Sequence, residues 1–185
     1  MFLNTTFVDM KGTVIKSTGK NYLVKVENGI VFESILKGKF RIAGIKSTNP
    51  VVVGDKVEIS KIKEKWVITE LYTRKNYILR KSVNLSKKTH IIAANIDQAI
   101  LMITLASPIT TTSFIDRFLV AANAYDVDVI LLFNKIDIID DDVKKELELR
   151  KTYYQKIGYK CLKTSILFDS ISEIKKIIKG KVNMI

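Results

Sequence analysis

The feature that most constrains the fold is an apolar run followed at once by three polar side chains. Val129–Phe133 is apolar at every position, which is typical of a parallel strand buried on both faces. Asn134, Lys135 and Asp137 follow, at the point where such a strand leaves its sheet. Ligands of open α/β sheets bind just beyond the carboxyl ends of the strands. The pattern therefore predicts an α/β domain with a ligand site at this loop.

The spacing Asn-Lys-x-Asp supplies the groups that recognise guanine. Asp137 can accept two parallel hydrogen bonds, from guanine N1–H and from the 2-amino group. Adenine has an acceptor at N1 and no 2-amino group, so it would leave this carboxylate unpaired. Asn134 can contact the O6/N7 edge, and the stem of Lys135 can cover the flat face of the base. We expect a guanine site here; the alternative is a solvated strand-to-helix turn.

Strands and helices alternate through the second half of the chain. Ala99–Leu105 and Tyr159–Lys163 are predicted strands, and the second of them delivers Thr164 and Ser165 to the sheet edge that carries the guanine loop. Val182–Ile185 begins a further strand. Because each strand is followed by a helical pattern, we expect part of a three-layer domain with a parallel sheet.

Three helices are predicted between these strands. Ser113 is the expected cap of the first, whose apolar stripe is Ile115, Phe118, Leu119, Ala122 and Tyr125. Three acidic residues, Asp140–Asp142, favour the positive end of a second helix that runs to about Ile157 and ends at Gly158. Ser170-x-x-Glu173 is a capping box for the third. Its predicted inward residues are Ile171, Ile174, Ile177 and Ile178.

The first part of the chain has the period-two pattern of short strands separated by turns. The predicted strands are Gly12–Ser17, Tyr22–Val26, Ile30–Ile35, Lys56–Lys61 and Trp66–Leu71. Asn28-Gly29, between the second and third, is a strong signal for a two-residue hairpin. Five strands in about 60 residues, with no helical period, predict a small closed barrel of the oligonucleotide-binding type.

Charge is divided unequally between the two parts. Residues 1–88 hold 18 Lys and Arg against 7 Asp and Glu, a surplus of 11, whereas residues 89–185 hold 13 against 12. This asymmetry favours a polyanionic partner for the first part, and we expect RNA. The candidate RNA-binding residues follow the third strand; they are Lys37, Lys39, Phe40, Arg41 and Lys46. The alternative is a solvated loop with Phe40 packed beneath it.

These patterns predict three segments. Residues 1–73 form the barrel, residues 74–89 form a basic linker, and residues 90–185 form the partial α/β domain. No apolar run is long enough to cross a bilayer, and the first ten residues lack a signal-peptide pattern. The single cysteine, Cys161, excludes an internal disulfide and cannot build a zinc site alone. We expect a cytoplasmic monomer that does not bind membranes.

The order of these features resembles a known family. No phosphate loop of the form Gly-x-x-x-x-Gly-Lys-[Ser/Thr] occurs in the 185 residues, so the guanine motif follows a basic barrel instead. The chain is similar over its whole length to the N-terminal part of the circularly permuted, ribosome small-subunit-dependent GTPase A family. The matching residues are Lys37-Gly-Lys-Phe-Arg41, Val53-Gly-Asp-Lys-Val57, Ala94-Asn-Ile-Asp-Gln98, Phe114-Ile-Asp-Arg-Phe-Leu119 and Asn134-Lys-Ile-Asp137.

The resemblance implies a GTPase that acts late in maturation of the small ribosomal subunit and binds its rRNA. It implies a second guanine-contacting motif at Thr164-Ser165, the alternative being a polar strand end that helps cap the next helix. It also implies GTP, Mg²⁺ and Zn²⁺, but the ligands of both metals belong to motifs that these 185 residues lack. We therefore expect a truncated chain that is inactive alone.

Two other functions stay open. One is a non-catalytic RNA- or ribosome-binding module with a vestigial guanine site. The other is a basic barrel that binds a nucleotide as a regulator without rRNA, which the charge asymmetry disfavours.

Overall fold

The chain divides into two compact units, Met1–Asn95 and Ile96–Ile185. The computed structural model describes residues 9–37, 50–81, 89–167 and 171–185. The division falls a few residues beyond residue 90, where we had predicted that the α/β domain begins. Each unit has its own sheets and is described separately.

The first unit contains the predicted five-stranded barrel. Its strands are β1 (Asp9–Thr18), β2 (Asn21–Val26), β3 (Val31–Leu36), β4 (Lys56–Ile62) and β5 (Lys65–Leu71). They close in the order β1-β2-β3-β5-β4, with β4 returning to β1. Every pairing is antiparallel except that of β3 with β5. The closed barrel confirms the fold expected for this part of the chain.

Alternation of apolar and polar residues explains the barrel core. Inward positions of β2 are buried at every second residue, at Tyr22, Val24 and Val26. The rest of the core consists of Val14, Val51, Val57, Ile59 and Ile68. Each fully buried aliphatic side chain stabilises the fold by about 1.5–3 kcal/mol. The core is therefore what holds five short strands together.

The predicted hairpin joins β2 to β3. Gly29 has a φ of 88°, which a residue with a side chain rarely adopts, and its amide donates to Val26 O at 2.9 Å. The Asn28 side chain accepts a hydrogen bond from the Ile30 amide at 3.0 Å. The hairpin is therefore where it was predicted, but its loop is longer than the two-residue turn expected. The turn runs from Val26 to Gly29 with Glu27 and Asn28 at its centre, and of these residues only Gly29 has a positive φ.

The segment predicted as a linker contains structure instead. Strand β6 (Tyr77–Lys81) pairs antiparallel with β7 (Thr89–Ala94) in a two-stranded sheet. Ile78 and Ile91 are buried. A two-stranded sheet is marginal alone, but this one packs on Val52 of the barrel unit. The partner surface, which sequence periodicity does not reveal, explains why residues 77–81 of the predicted linker form a strand.

Two contacts fasten this small sheet and the segment before it to the barrel. Gly54, with a φ of 92°, lies so close to β7 that a Cβ atom there would be 1.9 Å from Ala94 O. Arg74 forms a bidentate ion pair with Asp55, with both nitrogen–oxygen distances at 2.7 Å. Both side chains are almost fully buried. Asp55 also accepts from the Val52 amide at 2.8 Å, which compensates its desolvation further.

The second unit is an α/β layer built on a parallel sheet. Its elements are β8 (Gln98–Ile103), α1 (Thr112–Asn123), β9 (Val129–Phe133), α2 (Asp141–Lys156), β10 (Lys160–Lys163), α3 (Ile171–Ile178) and β11 (Asn183–Met184). The strand order is β10-β9-β8-β11, and all three pairings are parallel. All five residues of β9 are buried, as the apolar run predicted. The partial α/β domain is confirmed.

The capping residues of the helices are as predicted for α2, and the predicted cap of α1 is wrong. Thr111, not Ser113, caps α1, and its hydroxyl accepts from the Phe114 amide. Asp140 caps α2, and Gly158, with a φ of 100°, follows its end. The expected cap of α3, Ser170, lies outside the described residues.

The apolar faces of the helices are largely as expected. In α1, Ile115, Leu119 and Ala122 are buried. In α3 the inward set is only half-buried, and Ile171, predicted to face inward, is exposed. Ile171 is the first residue of α3, whereas the half-buried residues Ile174, Ile177 and Ile178 lie further along the helix. No helix in the described ranges is long and apolar enough to span a membrane.

Tyr154 and Cys161 are polar side chains that are buried in the second unit. Tyr154 of α2 donates to Asp116 of α1 at 2.8 Å, which gives the acidic residue of the motif Phe114–Leu119 a structural role. Burial, and then this hydrogen bond, raise the pKa of the Tyr154 phenol. Cys161 is buried in β10, and burial raises the pKa of its thiol to about 11. Cys161 thus packs as an unreactive thiol.

Candidate guanine site

The strand β9 carries the Asn-Lys-x-Asp loop to the carboxyl edge of the sheet. The chain leaves the sheet at Asn134, whose amide donates to Ile103 O of β8 at 2.7 Å. Two further hydrogen bonds join the loop to the end of β10. The Thr164 amide donates to Phe133 O at 2.8 Å, and the Ile136 amide donates to Thr164 O at 3.4 Å. The structure therefore brings both predicted guanine motifs to the same edge.

Lys135 occupies a strained backbone position and contacts a neighbouring loop. Its φ is 61°, in the left-handed region that residues with side chains seldom adopt. The Lys135 ammonium donates to Ser107 O at 2.7 Å, so its half-buried stem extends along the loop that joins β8 to α1. This path gives the aliphatic stem an apolar surface beside the polar edge.

Ser165 fixes the carboxylate that would contact the base. Its hydroxyl donates to Asp137 Oδ1 and accepts from the Leu167 amide at 3.0 Å. Ser165 is only 2% exposed, whereas Asp137 is half-buried. Each carboxylate oxygen can accept more than one hydrogen bond, so the Ser165 contact orients Asp137 and leaves acceptor capacity. A carboxylate held in one plane suits the parallel N1–H and 2-amino donors of guanine.

The other two predicted guanine-site residues are Asn134 and Thr164. The side-chain nitrogen of Asn134, Nδ2, lies 3.5 Å from Met102 Sδ, which is a weak contact, and Asn134 is half-exposed. The Thr164 amide and carbonyl both take part in hydrogen bonds at the sheet edge. The Thr164 backbone therefore joins the two predicted motifs, whereas the Ser165 side chain contacts the Asp137 carboxylate.

The loop between β8 and α1 is part of the site, although sequence reasoning missed it. The Thr110 amide donates to Thr104 O at 2.8 Å, and the Thr104 amide donates to Thr110 Oγ1 at 3.1 Å. These bonds close a short loop that brings Ser107 O to Lys135. The sequence of Thr104–Ser113 is rich in hydroxyl side chains, which indicates local hydrogen bonding. It does not indicate which partner each hydroxyl group would take.

Two exposed apolar residues next to Ser165 were also missed. Ile166 and Leu167 are 88% and 71% exposed. Two adjacent exposed apolar side chains are a candidate contact surface for a ligand. Their position directly after the Thr-Ser pair was the available sequence signal.

Of the predicted RNA-binding residues, the structure describes one. Lys37 is exposed directly after β3, and its amide contacts Ile68 O at 3.4 Å. Lys39, Phe40, Arg41 and Lys46 lie outside the described residues. Within the described ranges, no group of three or more His, Cys, Asp or Glu side chains could hold a metal ion.

The chain combines a five-stranded barrel with a parallel sheet that has the candidate guanine loop at its carboxyl edge. This combination indicates a protein of the GTPase fold with an additional N-terminal barrel. The chain belongs to the RsgA family. Residues 11–66 match the family model described as the RsgA N-terminal domain, and residues 71–185 match the model described as RsgA GTPase.

Relatives and solved structures agree with this assignment. The chain is 50% identical over 180 residues to the small ribosomal subunit biogenesis GTPase RsgA of Flavobacterium johnsoniae, and 50% identical over 177 residues to that of Bacteroides fragilis. These matches cover 95% of the chain but 55% and 57% of the relatives, so the chain spans little more than half their length.

Among solved structures, YjeQ from Thermotoga maritima matches 95% of the chain and 59% of its own chain, with a TM-score of 0.73 and 30% identity. YloQ, described as a circularly permuted GTPase, matches 99% of the chain and 61% of its own chain, with a TM-score of 0.69 and 26% identity.

Proposed function

We propose that the whole protein is a GTPase that binds the small ribosomal subunit, assists its late maturation and hydrolyses GTP to GDP and phosphate. This chain would supply the rRNA-binding barrel and the half of the GTPase domain that recognises guanine. The observation that carries the proposal is the Asp137 carboxylate, held by Ser165 at the carboxyl edge of β9. The names of relatives at 50% identity support the ribosomal partner.

The residues of this chain act on the base and not on the phosphates. Asp137 would accept from N1–H and the 2-amino group, Asn134 would contact the opposite edge, and the Lys135 stem would cover one face of the ring. Leu167, exposed on the turn after Ser165, is a candidate to cover the other face. This arrangement selects and orients GTP, and positioning is one of the two main contributions of a protein to phosphoryl transfer, the other being electrostatic stabilisation of the phosphates.

The groups that act on the β- and γ-phosphates are not among these residues. The sequence contains no phosphate loop, so neither its lysine nor its Mg²⁺-holding hydroxyl can be assigned here. The Zn²⁺ implied by the resemblance likewise has no ligand set among the described residues. We therefore assign nucleotide selection to this chain and leave phosphoryl chemistry to segments that relatives carry.

The second candidate function is a non-catalytic RNA- or ribosome-binding module with a vestigial guanine site. The surplus of 11 positive charges in residues 1–88 supports it equally well. The two candidates differ in whether Asp137 discriminates among nucleotides.

The test is the substitution Asp137→Asn in a version of the protein that has a phosphate loop. The new amide can donate to the 2-oxo group of xanthine, where the carboxylate accepted from the 2-amino group of guanine. We expect GTP binding to weaken by roughly 2–5 kcal/mol, because the hydrogen-bonded contact of a desolvated carboxylate is lost, and XTP binding to strengthen. Competition between labelled GTP and XTP measures both effects.

Asp142→Asn is the matched control, because it removes the same charge from an exposed position of α2 in the same unit. It should leave both affinities unchanged. If Asp137→Asn binds GTP as the parent protein does, Asp137 does not contact the base and the non-catalytic function becomes the better one.

A further inference from the structure

A second basic surface lies on the outer face of the barrel, on residues other than those predicted to bind RNA. It is a groove of about 600 Å³ between strands β1, β2 and β4. The side chains that line it include Lys11, Thr13, Lys25, Glu27, Lys56 and Tyr72. We call it the β1 groove. Its three lysines are exposed and belong to three different strands, so no single loop or helix accounts for it.

Strand register places two of the lysines on either side of a hydroxyl. Thr13 of β1 is directly opposite Lys25 of β2 and directly opposite Lys56 of β4. Residues opposite each other on neighbouring strands project from the same face, and neighbouring strands lie about 4.8 Å apart. The Lys56 ammonium donates to Thr13 Oγ1 at 2.7 Å. The row Lys56–Thr13–Lys25 thus offers two cations and a hydroxyl across about 10 Å.

Lys11 and Tyr72 extend this row along the groove. Lys11 is two residues before Thr13 on the same face of β1, and its ammonium lies 5.5 Å from the centroid of the Tyr72 ring. The Tyr72 hydroxyl donates to Glu58 at 2.9 Å. This hydrogen bond raises the pKa of Tyr72 to about 12, so the phenol is neutral at physiological pH. The groove therefore combines three cations with a neutral aromatic ring.

The chemistry of the groove fits a phosphodiester backbone better than an isolated anion. Cations spaced along an open groove beside an aromatic ring are the features that bind single-stranded nucleic acid without sequence preference. An enclosed pocket for a nucleotide would need convergent groups that read a base edge, and the groove is open to solvent. Two carboxylates stand against the three ammonium groups: Glu27 lines the groove, and Glu58, opposite Lys11 on β4, accepts from Tyr72. The positive surplus is therefore small and lies on the row Lys56–Thr13–Lys25.

We propose that the β1 groove binds the phosphodiester backbone of RNA, with a phosphate on the row Lys56–Thr13–Lys25 and a base or ribose against Tyr72. The inference rests on the RNA-binding part of the proposed function. It adds a site that does not include Lys37, Lys39, Phe40, Arg41 or Lys46. An RNA strand in this groove contacts strands of the barrel itself, so binding orients the barrel and does not merely attract the polyanion.

The test measures binding of a short labelled poly(U) RNA to the full chain by fluorescence anisotropy between about 50 and about 200 mM salt. The groove variant combines Lys11→Ala, Lys25→Ala and Lys56→Ala. A charge-matched control combines Lys16→Ala, Lys20→Ala and Lys65→Ala, which are exposed residues of the same unit that do not line the groove. A third variant combines Lys37→Ala, Lys39→Ala and Arg41→Ala.

We expect the groove variant to bind about tenfold or more weakly and to reduce the slope of log affinity against log salt by about 2. The control variant should change the slope by less than half as much. Tyr72→Phe should bind like the parent, and Tyr72→Ala more weakly, because the ring makes the contact. Equal thermal unfolding of parent and variants shows that the barrel is intact.

Each contrary outcome has a separate meaning. If the groove and control variants lose affinity equally, only net charge matters and the groove is not a site. If the groove variant binds RNA normally but loses binding to polyglutamate, the groove serves an acidic protein and the inference is wrong. If only the third variant loses RNA binding, the groove inference fails while the RNA-binding function stands. A parent chain that binds no RNA contradicts the RNA-binding part of the proposed function itself.

Discussion

At the scale of single residues, the Ser165 hydroxyl is the contact on which the candidate site depends. It is buried, donates to Asp137 and accepts from the Leu167 amide, so both of its hydrogen-bonding roles are occupied without a ligand. The carboxylate is consequently oriented before guanine arrives. Less conformational freedom remains to be lost on binding, which favours affinity without any additional contact to the ligand.

The first prediction concerns this contact. In a version of the protein that has a phosphate loop, Ser165→Ala should weaken GTP binding by about 1–2 kcal/mol, because one hydrogen bond to a charged group is lost. It should still prefer GTP to XTP, since Asp137 remains an acceptor, whereas Asp137→Asn reverses that preference. Titration with a fluorescent GTP analogue measures the affinity.

Ser113→Ala, at an exposed serine of α1 in the same unit, is the control and should bind like the parent. A Ser165→Ala protein with full GTP affinity would mean that Asp137 needs no help from the hydroxyl.

How far the site could be predicted depends on the range of the interactions. Asp137 and Ser165 follow strands whose apolar runs are local signals, so the sequence was sufficient to place them at one sheet edge. The contact of Lys135 with Ser107 depends on the hydrogen bonds that close the loop before α1, and several hydroxyl residues there compete for the same partners. The same competition explains why Thr111, and not Ser113, caps α1.

At the scale of elements, the two-stranded β6–β7 sheet is the part that local sequence patterns did not predict. The five barrel strands have clear alternation and were found with boundaries close to those observed. Strands β6 and β7 have no such period, because their order comes from a partner surface at Val52 and from the approach of Gly54 to Ala94. Tertiary contact outweighs local propensity in such short strands.

The second prediction tests the close contact of Gly54 with Ala94 of β7 by comparing two glycines. Gly54 and Gly29 have nearly the same φ, 92° and 88°, but a Cβ at Gly54 would meet Ala94 O at 1.9 Å whereas one at Gly29 would meet nothing within 4 Å. Gly29→Ala should therefore cost only the backbone term, about 1–2 kcal/mol of the free energy of unfolding. Gly54→Ala should cost a further 1–3 kcal/mol or so, because β7 must move.

Urea unfolding of the full chain measures both losses. Equal losses for Gly54→Ala and Gly29→Ala would show that β7 is not held against the barrel at this point.

At the scale of the whole molecule, the two candidate sites lie in different units. The candidate guanine site is built only from residues of the second unit, and the β1 groove only from residues of the first. The charge of the chain is divided in the same way, with nearly all of the surplus in residues 1–88.

The third prediction concerns the 185 residues by themselves. They should neither hydrolyse GTP nor bind micromolar GTP saturably, because their candidate site contacts the base while the groups that neutralise the β- and γ-phosphates are absent from the sequence. Phosphate release and binding of a fluorescent GTP analogue measure the two properties. Turnover above that of the Asp137→Asn chain would reveal a phosphate site among these residues.

The buried pair of Asp55 and Arg74 has a consequence for how the protein is made. The two residues are 19 positions apart, and Asp55 belongs to a barrel whose last strand ends at Leu71. At about 5–20 residues per second, the ribosome adds Arg74 roughly 1–4 s after Asp55. Until then, closing the barrel would bury a carboxylate without its counter-ion, which is strongly unfavourable. We therefore expect the barrel to close during synthesis only when Arg74, three residues beyond the end of β5, has emerged together with that strand.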